Sequence, residues 1–155
     1  MAVPEGMKIA SVSCGGYHTL ALTTEGVALA CGKNEYGRLG LGAGQPNQHQ
    51  RTLHPVLPIY LPPPHAPPDA PSQRLGEPVV DPVMETACGG SHSMIRTGSG
   101  RVFTFGRASL GRLGNGSTED ESQPTPVLVE SLALSGRTAA QVECGGQHSF
   151  VVLAD

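Results

Sequence analysis

The chain has 155 residues, a formal net charge of −3 and ten Lys and Arg dispersed singly, so no basic stripe exists to neutralise several phosphates together and direct nucleic-acid binding is not expected. Charged residues make up 15%, against 21 Gly and 14 Pro, a balance that disfavours helix and favours turn-rich β structure. No stretch approaches a membrane span, and the first sixteen residues, broken by Pro4, Glu5 and Lys8, do not resemble a secretory signal; an intracellular protein of the cytoplasm or nucleus, with its four cysteines as thiols, is expected.

The first distinctive stretch is CGGYH, Cys14-Gly15-Gly16-Tyr17-His18. After it His18-Thr-Leu-Ala-Leu22 alternates in part, with Leu20 and Leu22 on one face, as in a half-buried strand. TEG at 24–26, ending in Gly26, is a connector of hairpin length, and VALAC at 27–31 puts Leu29 and Cys31 on a common face. A second Gly-rich turn, through Gly32 and then GRLGLG with Gly37, Leu39 and Gly40, closes the unit.

The segment that follows, 43–82, holds eleven of the fourteen prolines, among them PIYLPPPHAPPDAP at 58–71. Such composition reads as an extended surface loop, with EPVV at 77–80 as a candidate outer strand of the first unit, since Pro is tolerated at a sheet edge.

Then the pattern returns. A shift of 74 lays 9–42 on 83–116 without a gap: Cys88-Gly89-Gly90-Ser91-His92 repeats the pentapeptide, Gly100 and Gly106 repeat Gly26 and Gly32, and Gly111, Leu113 and Gly114 repeat GRLG. RVFTF at 101–105 takes the place of VALAC, and TPVLVESL at 125–132 supplies a Pro-led outer strand. A third copy, Cys144-Gly145-Gly146-Gln147-His148, begins 56 residues after the second and runs into the apolar stretch 147–153. Self-similarity of this kind identifies a repeat architecture. The chain therefore divides into repeat one (1–42), the Pro-rich insert (43–82), repeat two (83–138) and a truncated repeat three (139–155). Each full unit has about four short antiparallel strands, the content of a propeller blade.

The order C-G-G-x-H-[ST], apolar alternation, a glycine-punctuated turn and G-x-L-G resembles the regulator of chromosome condensation repeat, over about three quarters of the chain. Two departures are Ala28, one place after Val27, and Ala108, where unit one has Asn34. The resemblance implies an all-β fold: a partial β-propeller of two four-stranded antiparallel blades plus the start of a third. Two blades do not close a ring, so a fragment of a longer protein or the product of a truncated gene model, poorly soluble alone, is expected.

Two readings of CGGxH compete. As chemistry, Cys and His are a metal pair or a nucleophile and its base, but four zinc ligands or an orienting third group are needed, and each copy brings one Cys and one His on a different blade, too far around a ring to share an ion. As structure, the paired glycines allow positive φ or close backbone approach, the Cys fits a tight site, and the His satisfies backbone groups of a buried turn. A catalytic site is needed once and a corner in every blade, so the recurring residues read as scaffold, with no catalytic, metal or cofactor residues among them.

Specific function then belongs where units differ: Glu35-Tyr36 against Ser109-Leu110, the acidic run 117–122 and PPPHAPP in the insert. The acidic run reads mainly as a solvated loop, otherwise as a contact for a basic partner, and GRLGLG lacks the Lys-Ser or Lys-Thr of a phosphate loop. The resemblance implies a non-enzymatic scaffold for protein partners. It also admits a guanine nucleotide exchange factor for a Ran-like small GTPase, and the repeat region of a larger ubiquitin ligase or signalling protein. The light-sensing plant branch of the family and a WD-type propeller are disfavoured because the chain has no Trp.

Overall fold

The computed structural model describes residues 3, 5–44, 49–56, 81–116, 122–130 and 136–154. The Pro-rich stretch 57–80, with EPVV and PPPHAPP, and residues 117–121 of the acidic run lie outside them.

Among the described residues, ten strands form three antiparallel sheets. The first sheet contains β1 (Ile9–Cys14), β2 (His18–Thr23), β3 (Ala28–Lys33) and β4 (His49–Pro55) in that order. The second repeats it with β5 (Val83–Cys88), β6 (His92–Thr97), β7 (Val102–Arg107) and β8 (Ser122–Leu128). The third is the hairpin β9 (Ala139–Cys144) and β10 (Ser149–Leu153). This is a partial β-propeller, two four-stranded blades and a two-stranded third.

Three details depart from the sequence expectations. The strand entering each CGG corner, β1 or β5, forms the first strand of its sheet; ASVSC at 10–14 alternates, whereas VMETAC at 83–88 does not. The outer strand of the first blade is His49–Pro55, at the start of the insert, where it pairs with β3 through Leu29↔Pro55 and Lys33↔His49. The outer strand of the second blade begins at Ser122, earlier than the Pro-led signal at 125. Sparse apolar content explains the omissions: an edge strand is held by its ladder to one neighbour, so HQRTLHP needs few buried side chains to pair.

The period of two is converted directly into blade stacking. Leu20, Leu22, Ala28 and Ala30 face the second sheet, where they bury Ile95, Phe103 and Phe105 in one cluster. The opposite-parity residues of the first sheet, Ala21, Leu29 and Cys31, pack with Leu53 on its other face. In the second sheet Met94 and Val102 turn the other way, onto Ala139 and Val142 of the third. Both faces of an inner strand are thus apolar, which is why runs such as MIRT and VFTF alternate poorly. Fully buried side chains such as Phe105 and Leu20, both 0% exposed, each contribute about 1.5–3 kcal/mol.

At the end of the blades away from the CGG corners, Gly26 and Gly100 close the β2–β3 and β6–β7 hairpins with φ of +80° and +77°, a region costly for residues with a Cβ. Their carbonyls accept from Val83 N and Ala139 N of the following sheet, both at 2.9 Å. The hairpin turn therefore also joins neighbouring blades.

Candidate functional site

The three CGG corners lie against one another. Gly16 N donates to Gly89 O at 3.1 Å and Gly90 N to Gly146 O at 3.0 Å, so each corner is hydrogen-bonded to the next. None of Gly15, Gly16, Gly89, Gly90, Gly145 or Gly146 has a left-handed φ. Of the two uses expected for these glycines, the structure shows close approach: a Cβ on Gly15 would run into Gly89 O and lie 2.8 Å from His18 Cε1. On Gly89 it would lie 2.5 Å from His92 Nδ1 and 2.8 Å from Gly145 O.

The histidines reach further than their own turn. His18 Nε2 is 2.8 Å from Ser93 Oγ in the next sheet, and Ser93 Oγ donates to Arg38 O at 2.7 Å. Since the hydroxyl proton is spent on that carbonyl, His18 must donate from Nε2. The second copy repeats this, with His92 Nε2 3.0 Å from Ser149 Oγ, which donates to Arg112 O at 2.7 Å. The expectation that these histidines serve backbone groups of their own turn is therefore corrected: Gly15 N and Gly89 N are met by the carbonyls of His18 and His92, and the imidazole holds the next blade. Nδ1 of both rings is buried without a partner among the described residues. Burial, reinforced for His18 by the charges of Arg38 and His92, lowers its pKa to about 4; burial, with Arg112 and His148, does the same to His92. The third histidine, His148, is exposed and stands edge-on to Phe150, with centroids 5.1 Å apart.

The corner cysteines end the first strands of three successive sheets. Cys88 N and Sγ donate to Ser13 Oγ at 3.0 Å and Ser13 O at 3.3 Å, beside Cys14. Burial pushes the Cys88 thiol up to about 11 and that of Cys144 to about 12, so both are protonated near neutrality and poor nucleophiles. Among the described residues no three His, Cys, Asp or Glu side chains gather as a metal set.

Each GRLG segment follows a 3-10 turn, Glu35–Gly37 or Ser109–Gly111, that ends on its first glycine. Gly32, Gly37, Gly40, Gly106, Gly111 and Gly114 all have positive φ there, as do Tyr36 (62°) and Leu110 (64°). Leu39 and Leu113 are fully buried. Sequence reasoning passed over the arginine between them. Arg38, 1% exposed, donates to Glu35 O at 2.8 Å and across the blade boundary to Gly90 O at 3.2 Å; Arg112 likewise donates to Ser109 O at 2.7 Å. Its recurrence inside both GRLG copies was the available signal.

Where the units differ, their surfaces differ in chemistry. Unit one sets Tyr17 and Tyr36 among Lys33, Arg38 and Arg107, whereas unit two has Ser91 and an exposed Leu110 at the tyrosine positions.

Comparison with known proteins agrees with this geometry. Two models of the regulator of chromosome condensation (RCC1) repeat match, over residues 99–152 and 9–38. The chain is 32% identical over 149 residues to the human (Homo sapiens) probable E3 ubiquitin-protein ligase HERC3, covering 94% of the chain and 11% of that protein. It is 32% identical over 143 residues to the human Regulator of chromosome condensation, covering 92% and 28%. The crystal structure of Prp20p from Saccharomyces cerevisiae, described with its binding to Gsp1p and histones, superposes with a TM-score of 0.79 at 17% identity, over 100% of the chain and 33% of Prp20p. The chain thus spans about a tenth to a third of these proteins. A non-enzymatic protein, expected from the repeat pattern, is not what they support: the matched segment recurs in a ligase, and that expectation is withdrawn.

Proposed function

Because the chain belongs to the regulator of chromosome condensation repeat family, we propose that it is part of the propeller of a larger ubiquitin-ligase-type protein, within which it presents blade-rim loops to protein partners. The observation that carries this reading is the alignment of 94% of the chain with 11% of HERC3: nearly all of this sequence corresponds to a small section of a ligase. The physical division of labour fits. The repeated residues are spent on joining blades, and the two corner thiols Cys88 and Cys144 are held protonated, so the transfer chemistry would fall to other parts of the protein while the rigid rim selects what is brought to them. Intracellular placement, in cytoplasm or nucleus, goes with this reading.

A second reading, guanine nucleotide exchange on a Ran-like GTPase, is favoured by the alignment to the Regulator of chromosome condensation and by the fold shared with Prp20p. Here the propeller would stabilise the nucleotide-free state of its partner without making or breaking a bond. One pair of assays separates the two. The full-length protein is supplied with ubiquitin, activating and conjugating enzymes and ATP, and separately with a Ran-like GTPase carrying a labelled nucleotide. Ubiquitin transfer supports the ligase reading, accelerated nucleotide release the exchange reading, and activity in neither assay overturns both.

A further inference from the structure

The two units part just after GRLG. Unit one continues with Leu41-Gly42 and unit two with Asn115-Gly116. Leu41 is buried in the cluster that holds Phe105, and Gly42 N donates to Pro124 O of the next blade at 2.9 Å. Asn115 is half-buried and Gly116 exposed, so where the first unit packs a leucine the second sets a carboxamide before an open glycine.

An Asn-Gly pair has a reaction of its own, in which both reactants are held on one chain. The glycine N–H gives its proton to hydroxide and the nitrogen attacks Cγ of the asparagine. The new N–Cγ bond closes a five-membered succinimide, the Cγ–Nδ2 bond breaks, and Nδ2 leaves as ammonia with a proton returned by water. Water then adds to one of the two imide carbonyls. Breaking the bond from the nitrogen to Cγ leaves an aspartyl residue; breaking the bond to the main-chain carbonyl leaves an isoaspartyl residue, whose backbone runs through Cβ and Cγ. Glycine is the permissive neighbour because a Cβ there would crowd the attacking nitrogen.

The fold leaves this route open at Asn115 and closes it at Asn34. The chain is anchored as far as Gly114: Thr104 Oγ1 donates to Leu113 O at 2.9 Å, and Gly114 N to Gly111 O at 3.0 Å. Asn115 and Gly116 follow, outside any strand or 3-10 turn. Gly116 has a φ of +84°, and a Cβ built on it would meet nothing within 4 Å, so the peptide unit between the two residues has room to rotate toward Cγ. The attack does not require a free Asn115 side chain, since a donor on Oδ1 draws electron density from Cγ and favours it. Asn34, by contrast, is 1% exposed, and its Oδ1 accepts from Leu39 N at 3.2 Å. It also precedes Glu35, whose Cβ crowds the nitrogen. Of the asparagines in the chain, Asn115 alone precedes a glycine.

We propose that Asn115 is a self-modifying site of the second unit, converted through a succinimide to isoaspartyl and aspartyl products. Each product adds one negative charge to a chain at −3, immediately before the acidic run 117–122. The isoaspartyl product also lengthens the main chain by one carbon between the buried Leu113 and β8. Unit one has no such pair, so the change distinguishes the two rims. It is independent of the activity that accompanies the propeller.

The test incubates the full-length protein beside a synthetic peptide of residues 111–118, in neutral and in mildly alkaline buffer. Trypsin then places Asn34 and Asn115 in different peptides, and mass spectrometry with electron-transfer fragmentation tells isoaspartyl from aspartyl. The expected result is ammonia loss at 115 at a rate close to that of the free peptide, rising with pH, with isoaspartyl in excess and Asn34 intact. Gly116→Ala should slow it several-fold. Because alanine is strained at a φ of +84°, a second variant, Asn115→Gln, leaves the glycine in place and should abolish the reaction, since its ring would have six members. An Asn115 that stays intact while the free peptide is half converted would overturn the proposal, showing that the fold withholds the nitrogen from Cγ. Equal modification of Asn34, or an aspartyl product without isoaspartyl, would overturn it as well.

Discussion

His18 and Ser93, 75 residues apart in the chain, are joined at 2.8 Å across the boundary between the first two sheets, and the serine hydroxyl donates to Arg38 O, back in the repeat unit of the histidine. The three groups form a clasp: the imidazole reaches forward, the hydroxyl reaches back. His92, Ser149 and Arg112 repeat it one blade on. A buried hydroxyl that both accepts and donates is hard to replace.

Ser93→Ala leaves two buried groups without partners, the Nε2 proton of His18 and the carbonyl of Arg38. The expected cost is about 2–4 kcal/mol, from about 1–3 kcal/mol for each unsatisfied group with some relaxation. Urea denaturation of the protein and of Ser93→Ala measures it. A double-mutant cycle with His18→Gln should show strong coupling, and additive losses would mean that the clasp does not act as a unit.

Acid should weaken the same boundaries. The folded chain holds His18 and His92 at about 4, below the ordinary value of 6.5, so between those limits the unfolded chain binds protons that the folded one refuses. Stability is then unaffected above about pH 7, falls as pH drops through 6.5, and levels off below 4. By linkage the loss is about 2 kcal/mol per histidine at pH 5 and about 3 kcal/mol per histidine once complete. Urea midpoints from pH 8 to pH 4.5 test this, and a flat profile between pH 7 and pH 5 would contradict it.

Gly15→Ala and Gly89→Ala should each be severely destabilising although neither glycine has a left-handed φ. At Gly89 the new Cβ would meet His92 Nδ1 at 2.5 Å and Gly145 O at 2.8 Å, and neither the ring nor the neighbouring corner has room to retreat. A loss of about 3 kcal/mol or more is expected. Gly44→Ala, where the Cβ meets nothing within 4 Å, serves as the control and should change the thermal midpoint little.

Thiol labelling should rank the cysteines by environment. Cys14 is exposed, whereas Cys31 and Cys88 are buried and both have thiols raised by burial. With N-ethylmaleimide at pH 7.5, Cys14 of the 155-residue chain should react first, and Cys88 slower by about tenfold or more. Urea should abolish the difference. Equal rates in the folded protein would show that the corners are open.

The sequence by itself determined the units. A gapless repeat over 34 positions, alternation at period two and glycines at fixed offsets are local records of which residues lie in a strand and where the chain must turn, so the blade count and the hairpins at Gly26 and Gly100 were legible from composition and spacing. What the recurring side chains do was decided only in three dimensions. His18 follows a turn, and its neighbours in sequence suggested that it served that turn; its partner is a hydroxyl 75 residues away, brought within reach by the stacking of whole sheets. The outer strand at His49–Pro55 was hidden for a related reason, because an edge strand is specified by the ladder it joins more than by its own apolar content. Arg38 belongs with them: a buried guanidinium is unfavourable in isolation, and Glu35 in its own turn, the carbonyl of Gly90 in the next blade and two tyrosine rings together make its position tolerable. Period and turn chemistry act over a few residues and can be read along the chain, whereas the partner of a polar side chain depends on which surfaces the packed sheets bring together.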